Sequence, residues 1–171
     1  IPGPTGAHNW HPMAFNPDTG LVDIPVNEIP FFYDKTRNVE DSKSWWNIGY
    51  DAAAGWPVEY PAGTVEAVAD LDGGSLLAWD PVKAEPRWAV PFPLPLNGGV
   101  LSTDAGLVFQ GNKFGDLVAY DAETGERMWS RQLVGNAAAA PMTDEIEGAR
   151  YLSELSGWGS GSNLIAGFTY G

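Results

Sequence analysis

A repeated strand–turn–strand unit is the feature that most restricts the fold of this chain. The segments LLAWDPVKAEPRW (76–88) and LVAYDAETGERMW (117–129) share an alanine, an aromatic residue, an aspartate and a tryptophan ten residues after the alanine. The two alanines, Ala78 and Ala119, are 41 residues apart, which suits one four-stranded blade of a β-propeller. An ordinary β-sandwich would not require this shared spacing. The repeat therefore predicts an all-β fold that is a partial β-propeller.

Repeated turns indicate how many blades the chain contains. The hairpin VLSTDAGLVFQG has related segments at 13–25 and 142–154, and its turn glycine Gly106 corresponds to Gly20 and Gly148. Gly106 and Gly148 are 42 residues apart, but Gly20 and Gly106 are 86 apart, which places a long loop insertion at about 27–74. Since a closed propeller needs roughly four to eight blades, we expect residues 1–171 to be one segment of a propeller domain, with two blades and the start of a third.

Individual residues of the repeat have predicted structural roles. We expect Val100 to Arg131 to form one four-stranded antiparallel blade, with Trp88 and Trp129 packed between neighbouring blades. Asp80 and Asp121 precede turns, where a carboxylate accepts hydrogen bonds from backbone amides.

Two places depart from the expected pattern of strand residues. Asp23 and the run Ser153 to Leu155 stand where aromatic or aliphatic side chains are expected. A buried carboxylate without a partner is costly. Either these side chains face solvent or the blade is irregular.

Strand parity predicts which loops lie together. In an antiparallel meander, the entry to the first strand and the link between the second and third lie at the same end. One face should therefore collect residues 6–11, 27–74, 95–99, 111–115 and 157–163, and it carries His8, Asn9, Trp10, His11, Asn97 and Trp158. The rings of Trp10 and Trp158 either stack on a ligand or pack within the fold. The two histidines either bind a metal or have a solvated or structural role.

Composition excludes several kinds of partner and site. The net charge of −13 would repel nucleic acid and anionic lipid. The absence of cysteine excludes disulfides, thiolate metal sites and c-type haem attachment from this stretch. No apolar run approaches the roughly 20 residues of a membrane span. The chain begins at Ile1 without a methionine or a signal peptide, so we expect a processed protein or a segment of a longer one.

Three segments in this order, HNWHPMAFNPDTGLV (8–22), NGGVLSTDAGLVFQGNKFGDLVAYDAETGERMW (97–129) and SGWGSG (156–161), resemble the quinoprotein alcohol dehydrogenases. The resemblance implies an eight-bladed periplasmic propeller that carries pyrroloquinoline quinone (PQQ) and calcium or another metal ion near its axis. Such an enzyme oxidises alcohols to aldehydes and passes electrons to a cytochrome or a quinone. The intact protein would pack the remaining propeller blades against this segment, and a haem c domain is an open possibility.

The same resemblance assigns the site residues of this chain. Asn9 and Trp10 match an Asn-Trp pair that approaches the cofactor, and Trp158 with Gly159 matches a Gly-Trp-Gly that closes the pocket. The family's metal-binding carboxylate, vicinal cysteine pair and catalytic aspartate lie upstream. We therefore expect no catalytic residue and no metal ligand in this segment, and no activity from the segment alone.

Two other functions compete with alcohol oxidation. One is a cofactor-free propeller that acts as a scaffold or binding protein, similar to the outer-membrane assembly lipoproteins that share the Asp-to-Trp repeat. The other is a sugar-binding propeller whose exposed tryptophans stack on pyranose rings. A scaffold has no need for Asn-Trp or Gly-Trp-Gly in its loops, and this difference separates the alternatives.

Overall fold

The computed structural model describes residues 2–3, 6–31, 62–63 and 73–157, and these form antiparallel β-sheets without a helix. The first sheet contains β1 (Ala14–Asn16), β2 (Leu21–Asn27), β3 (Gly74–Asp80) and β4 (Glu85–Phe92). The second contains β5 (Val100–Ser102), β6 (Leu107–Gly111), β7 (Asp116–Asp121) and β8 (Arg127–Gln132), and a final hairpin pairs β9 (Met142–Ile146) with β10 (Ala149–Ser153). Strand order follows chain order in both four-stranded sheets. The predicted arrangement of two blades and the start of a third is confirmed.

The two complete sheets repeat each other in detail. Each has a register shift between its third and fourth strands, after Ala78 in the first sheet and after Ala119 in the second. The carboxylate of Asp80 accepts backbone hydrogen bonds from Val82 and Lys83, both at 3.0 Å. Asp121 caps the equivalent turn, and this confirms the turn-capping role predicted for both aspartates.

The main hydrophobic core lies between the two sheets. Trp88 packs against it, and its indole nitrogen donates a hydrogen bond to the carbonyl oxygen of Ala122 at 3.1 Å. An interface between adjacent sheets is the packing that a propeller requires. The buried members of this core are Leu76, Phe92, Val100, Val108, Val118, Tyr120 and Ala122.

The prediction for Trp129 is wrong within the described residues, because 47% of this side chain is exposed. Trp88 packs on the turn of the following blade, close to Gly125. The residues one repeat after this turn, 163–166, lie outside the described residues. The second blade itself is confirmed as one four-stranded antiparallel sheet.

Both expectations for Asp23 are also wrong, because its side chain does not face solvent and the blade is regular there. Asp23 pairs in regular register with Ala14 and Ala78, and only 1% of it is exposed. Ala14 packs against the core between the sheets, so Asp23, on the same face, points into this boundary. Strand regularity forces the carboxyl inward, because every second residue of β2 is buried.

In the run from Ser153 to Leu155, Ser153 and Leu155 face solvent, which is the first of the two expectations for this run. Glu154 does not, because both of its carboxyl oxygens are buried without a hydrogen-bond partner. Desolvation raises the pKa of Glu154 to about 7. Alternation along an extended chain places this one side chain inward between two outward neighbours.

Candidate cofactor-facing loop surface

The loops at one end of the two sheets are joined by hydrogen bonds. Asn27 at the end of β2 donates its backbone N–H to Ala7 at 2.7 Å, and its side-chain oxygen accepts the backbone N–H of Leu96 at 2.7 Å. Val100 at the start of β5 donates to the carbonyl of Pro12 at 2.9 Å. The predicted common face is therefore confirmed for the described parts of these loops, whereas most of the insertion at 27–74 lies outside the described residues.

Buried asparagines organise this loop surface. Asn97 accepts the backbone N–H of Lys113 at 3.2 Å, and Asn112 accepts those of Phe114 and Asp116 at 2.9 and 3.0 Å. An uncharged amide satisfies buried backbone donors without the desolvation cost of a carboxylate. Asn27, Asn97, Asn112 and Asn136 are all buried.

Sequence reasoning identified Asn97 on this face but missed Asn112 and Asn136. The available signal was an asparagine beside a glycine at a turn, a combination common to many loops. Nothing in the pattern showed that these two asparagines are buried.

Close backbone approach explains two glycines of the same surface. A Cβ atom on Gly111 would lie 2.3 Å from the carbonyl oxygen of Ala137, and one on Gly98 would lie 2.6 Å from the same oxygen. Neither residue can carry a side chain unless the backbone moves. These contacts hold the segment after β8 against the loops before β5 and after β6.

Trp10 and His11 form a stacked ring pair at the edge of this surface. Their ring centroids are 4.0 Å apart and their planes differ by 23°. His11 is 2% exposed, whereas Trp10 is 52% exposed. The backbone N–H of Trp10 donates to the side-chain oxygen of Asn9 at 2.8 Å. The structure thus brings Asn9 and Trp10 together, with one indole face covered by imidazole.

The two histidines have separate environments. The Nδ1 of His8 lies 2.9 Å from the carbonyl oxygen of Pro25 and donates to it. Burial, followed by the charges of His8 and Lys113, lowers the pKa of His11 to about 4. Within the described residues, no three His, Cys, Asp or Glu side chains gather closely enough to hold a metal ion.

The other two predicted site residues, Trp158 and Gly159, lie outside the described residues. The chain just before them is attached to the loop surface. Gly157 donates its N–H to the carbonyl of Asn136 at 2.8 Å, and the Ser156 hydroxyl both accepts from Gly135 N–H at 3.0 Å and donates to its carbonyl at 2.9 Å. The described part of the predicted Gly-Trp-Gly therefore lies on the same face as the loops.

Known proteins share both the sequence and the fold of this chain. A family model described as outer membrane protein assembly factor BamB (PQQ_2) matches residues 61–150. The chain is 44% identical to quinohemoprotein alcohol dehydrogenase ADH IIB of Pseudomonas putida, over 97% of this chain and 23% of that protein. It is 39% identical to lupanine 17-hydroxylase (cytochrome c) of a Pseudomonas species, over 96% of this chain and 22% of that protein.

The comparison with solved structures gives the same kind of relative as the sequence comparison. Quinohemoprotein alcohol dehydrogenase from Comamonas testosteroni matches with a TM-score of 0.71 and 39% identity, over 92% of this chain and 23% of that protein. The chain spans less than a quarter of the length of the relatives it matches. Because the family model covers more than half of the chain, the chain belongs to the PQQ_2 family of β-propellers, and the relatives that it resembles include quinohemoprotein alcohol dehydrogenases.

Proposed function

We propose that this chain is part of a PQQ-dependent alcohol dehydrogenase and forms one wall of its cofactor pocket. The observation that carries the proposal is Trp10, a half-exposed indole fixed on the loop surface by the imidazole of His11. A planar aromatic cofactor is bound by flat side chains of this kind together with a few placed polar groups. Asn9, beside Trp10, supplies such a polar group.

The described residues fit PQQ as a stacking and orienting surface. Trp10 is half exposed, and buried asparagines hold the loops of this surface together. Trp158 and Gly159 would complete the contact from the last strand-to-loop segment. When bound, PQQ supplies the acceptor for the hydride of the alcohol, while this chain binds and orients the cofactor.

The remaining parts of the proposed enzyme would come from outside this chain. By the same resemblance, the base that accepts the alcohol proton and the ligands of a calcium ion would come from other blades. A cytochrome acceptor and a haem are supported by the names of the relatives, quinohemoprotein alcohol dehydrogenase and lupanine 17-hydroxylase (cytochrome c). A periplasmic location fits this proposal. Among the described residues, no helix is long and apolar enough to span a membrane.

The test compares Trp10→Ala with wild type in the intact protein that contains this chain. PQQ binding is measured by equilibrium dialysis, and turnover of primary alcohols is measured with a dye acceptor. We expect PQQ to bind at least about fivefold more weakly in the variant, because stacking contributes about 1 kcal/mol beyond buried area. Phe114→Ala, another exposed ring on the same loops, is the control and should change affinity less than twofold. Wild-type protein without PQQ-dependent turnover would refute the proposal.

A cofactor-free scaffold is the second candidate. It is favoured by the family model, whose description is an outer-membrane assembly factor and whose match covers the Asp-to-Trp repeat. The match ends at residue 150 and begins at residue 61, so it includes neither Asn9 and Trp10 nor Trp158 and Gly159. Absence of PQQ from the intact purified protein, together with no binding of added PQQ, would favour the scaffold.

A further inference from the structure

Three polar side chains lie buried at the boundary between the two four-stranded sheets. Asp23 is 1% exposed, and neither of its carboxyl oxygens has a hydrogen-bond partner among the described residues. The hydroxyl of Ser102 and the side-chain nitrogen of Asn16 are buried without a partner as well. Buried polar groups of folded proteins are nearly always hydrogen-bonded, either to protein atoms or to ordered water. The three side chains therefore require a partner that the neighbouring chain does not supply.

Strand geometry places these side chains on the two sides of one boundary. Asp23 pairs with Ala14 of β1, and Asn16 is two residues further along that strand, so both project from the same face of the first sheet. Ser102 pairs with Val108, a member of the core between the sheets, and projects from the facing side of the second sheet. The strand of Ser102, β5, lies beside both β1 and β2.

The repeat indicates that the position of Asp23 has room for more than a carboxyl group. Asp23 pairs with Ala78 and Phe109 pairs with Ala119, the two alanines that mark the repeat, so Asp23 takes the place of an aromatic ring. Tyr151 has the same place in the final hairpin, three residues after its turn glycine. A carboxyl group fills less space than a phenyl ring. An internal site that is both roomy and polar is one that holds water.

Asp23 and Ser102 are close to each other without a direct bond. Burial raises the pKa of Asp23 to about 7, and the Ser102 hydroxyl opposes this rise in part. The carboxyl oxygens and the hydroxyl nevertheless form no hydrogen bond with each other. Polar groups that are near each other but not directly bonded are commonly bridged by water.

The donors and acceptors at this boundary suit water better than a metal cation. A buried water makes about three hydrogen bonds and uses both donors and acceptors among its partners. The Asn16 side-chain nitrogen can only donate, because its Oδ1 already accepts the backbone N–H groups of Asp18 and Thr19 at 2.9 and 3.4 Å. A metal cation is held by acceptors alone, so the Asn16 donor would oppose it.

We propose that Asp23 and Ser102 bind an internal water molecule between the first and second blades, with the Asn16 amide as a further donor. The site is separate from the proposed cofactor surface, because none of these three residues belongs to the loops that form it. The bound water satisfies a carboxyl group at a blade boundary where the equivalent position of the next blade carries a phenyl ring.

The first test is a high-resolution crystal structure of the intact protein at pH 5, for wild type and for Asp23→Phe. Wild type should show a fully occupied water within hydrogen-bond distance of Asp23 and Ser102. Asp23→Phe should show none, because its ring fills the space. Asp18→Asn, an exposed turn variant, is the matched control and should keep the water. Crystals soaked in thallium(I), which replaces monovalent cations, should give no anomalous signal at this site.

A second readout does not depend on the folding of Asp23→Phe. The infrared difference spectrum between wild type and Asp23→Asn at pH 5 isolates the C=O stretch of the protonated Asp23 carboxyl. A hydrogen-bonded acid absorbs at lower frequency than a free acid, so we expect the lower frequency. In Ser102→Ala the band should keep that frequency, because the water remains as a partner of the acid.

Each contrary result would overturn the water site. Wild-type crystals without density beside Asp23 would do so, and so would a C=O band at the frequency of a free acid. A band that moves to the free-acid frequency in Ser102→Ala would mean that the hydroxyl bonds the carboxyl directly. A thallium signal at the site would replace the water with a cation.

Discussion

The indole nitrogen of Trp88 donates a hydrogen bond to the carbonyl oxygen of Ala122, 3.1 Å away across the boundary between two sheets. Residues 34 positions apart in the chain are thereby linked at the point where one blade meets the turn of the next. The turn accommodates the ring because Gly125, at φ +74°, has no side chain, and a Cβ atom there would lie 2.7 Å from the indole.

Trp88→Phe should destabilise the protein by about 1 kcal/mol, the net contribution of one hydrogen bond, and Trp88→Ala by about 3 kcal/mol through the cavity that it leaves. Urea denaturation measures both free energies of unfolding. Trp129→Phe in this 171-residue polypeptide is the matched control, and it should cost less than about 0.5 kcal/mol because half of that ring is exposed. Equal losses at the two positions would contradict the assigned contact.

Asp23→Asn should change how stability depends on pH. Burial raises the pKa of Asp23 from 3.8 to about 7, and the Ser102 hydroxyl opposes this rise only in part. No hydrogen bond of normal geometry forms between the Asp23 carboxyl and the Ser102 hydroxyl. Of the strands near Asp23, β1, β5 and β6 contain no Asp, Glu, His, Lys or Arg, and the one charged residue of β3, Asp80, caps the turn at the end of that strand.

The folded protein holds the Asp23 proton more tightly than the unfolded chain. The contribution of Asp23 to the stability of the protein is therefore largest below pH 4, and it declines as pH rises through 7. The decline should amount to about 2–4 kcal/mol in wild type. Asp23→Asn should remove it, whereas the exposed turn variant Asp18→Asn should keep it. Denaturation midpoints between pH 4 and 8 measure the difference, and parallel curves for wild type and Asp23→Asn would exclude a buried neutral acid.

Asp121→Ala should lower the melting temperature more than Asp80→Ala. Asp121 accepts hydrogen bonds from the backbone of Glu123 and Thr124 and from the Thr124 hydroxyl, whereas Asp80 accepts two backbone bonds and has Lys83 at 3.4 Å. These bonds lower the pKa of both carboxyls. The stabilisation is therefore present above pH 4 and is lost as pH falls below that value.

Asparagine at either turn aspartate keeps the oxygen acceptor. Asp121→Asn should therefore keep much of the thermal stability that Asp121→Ala loses. It should also remove the loss of stability at low pH that comes from protonation of Asp121. Thermal melts at pH 7 and pH 3 distinguish the variants. An alanine variant as stable as wild type at pH 7 would show that the cap is dispensable.

Gly111→Ala should disturb the loop surface, because its Cβ atom would lie 2.3 Å from one backbone oxygen and 2.5 Å from the Ala137 side chain. We expect a loss of about 2–3 kcal/mol together with weaker PQQ binding. Gly106→Ala is the control: its φ is +71° but no atom lies within 4 Å of an added Cβ, so the expected cost is about 1 kcal/mol. Calorimetry on both variants distinguishes a steric clash from backbone strain. A smaller loss of stability for Gly111→Ala than for Gly106→Ala would argue against the close contact.

Local and periodic features were sufficient to predict the blades. The spacing between Ala78 and Ala119 gives the blade length, and the capping roles of Asp80 and Asp121 depend on amides two and three residues away. The common loop face followed from strand parity, which depends only on the antiparallel order of the strands. The blade length, the turn caps and the common loop face each depend on short-range geometry, which can be read from residue spacing in the sequence.

The tertiary structure alone decided which side chains are buried and what they meet. Trp88 and Trp129 occupy equivalent repeat positions, yet one meets Ala122 and the other is half exposed, because burial depends on the neighbouring blade. Asp23 is buried because Ser102, almost eighty residues later, belongs to the strand packed against it. The His11 ring is buried and stacks on Trp10, an arrangement that the local sequence does not specify. A single sequence states local preferences, but the partner that a side chain meets across a sheet boundary is set by strands distant in the chain.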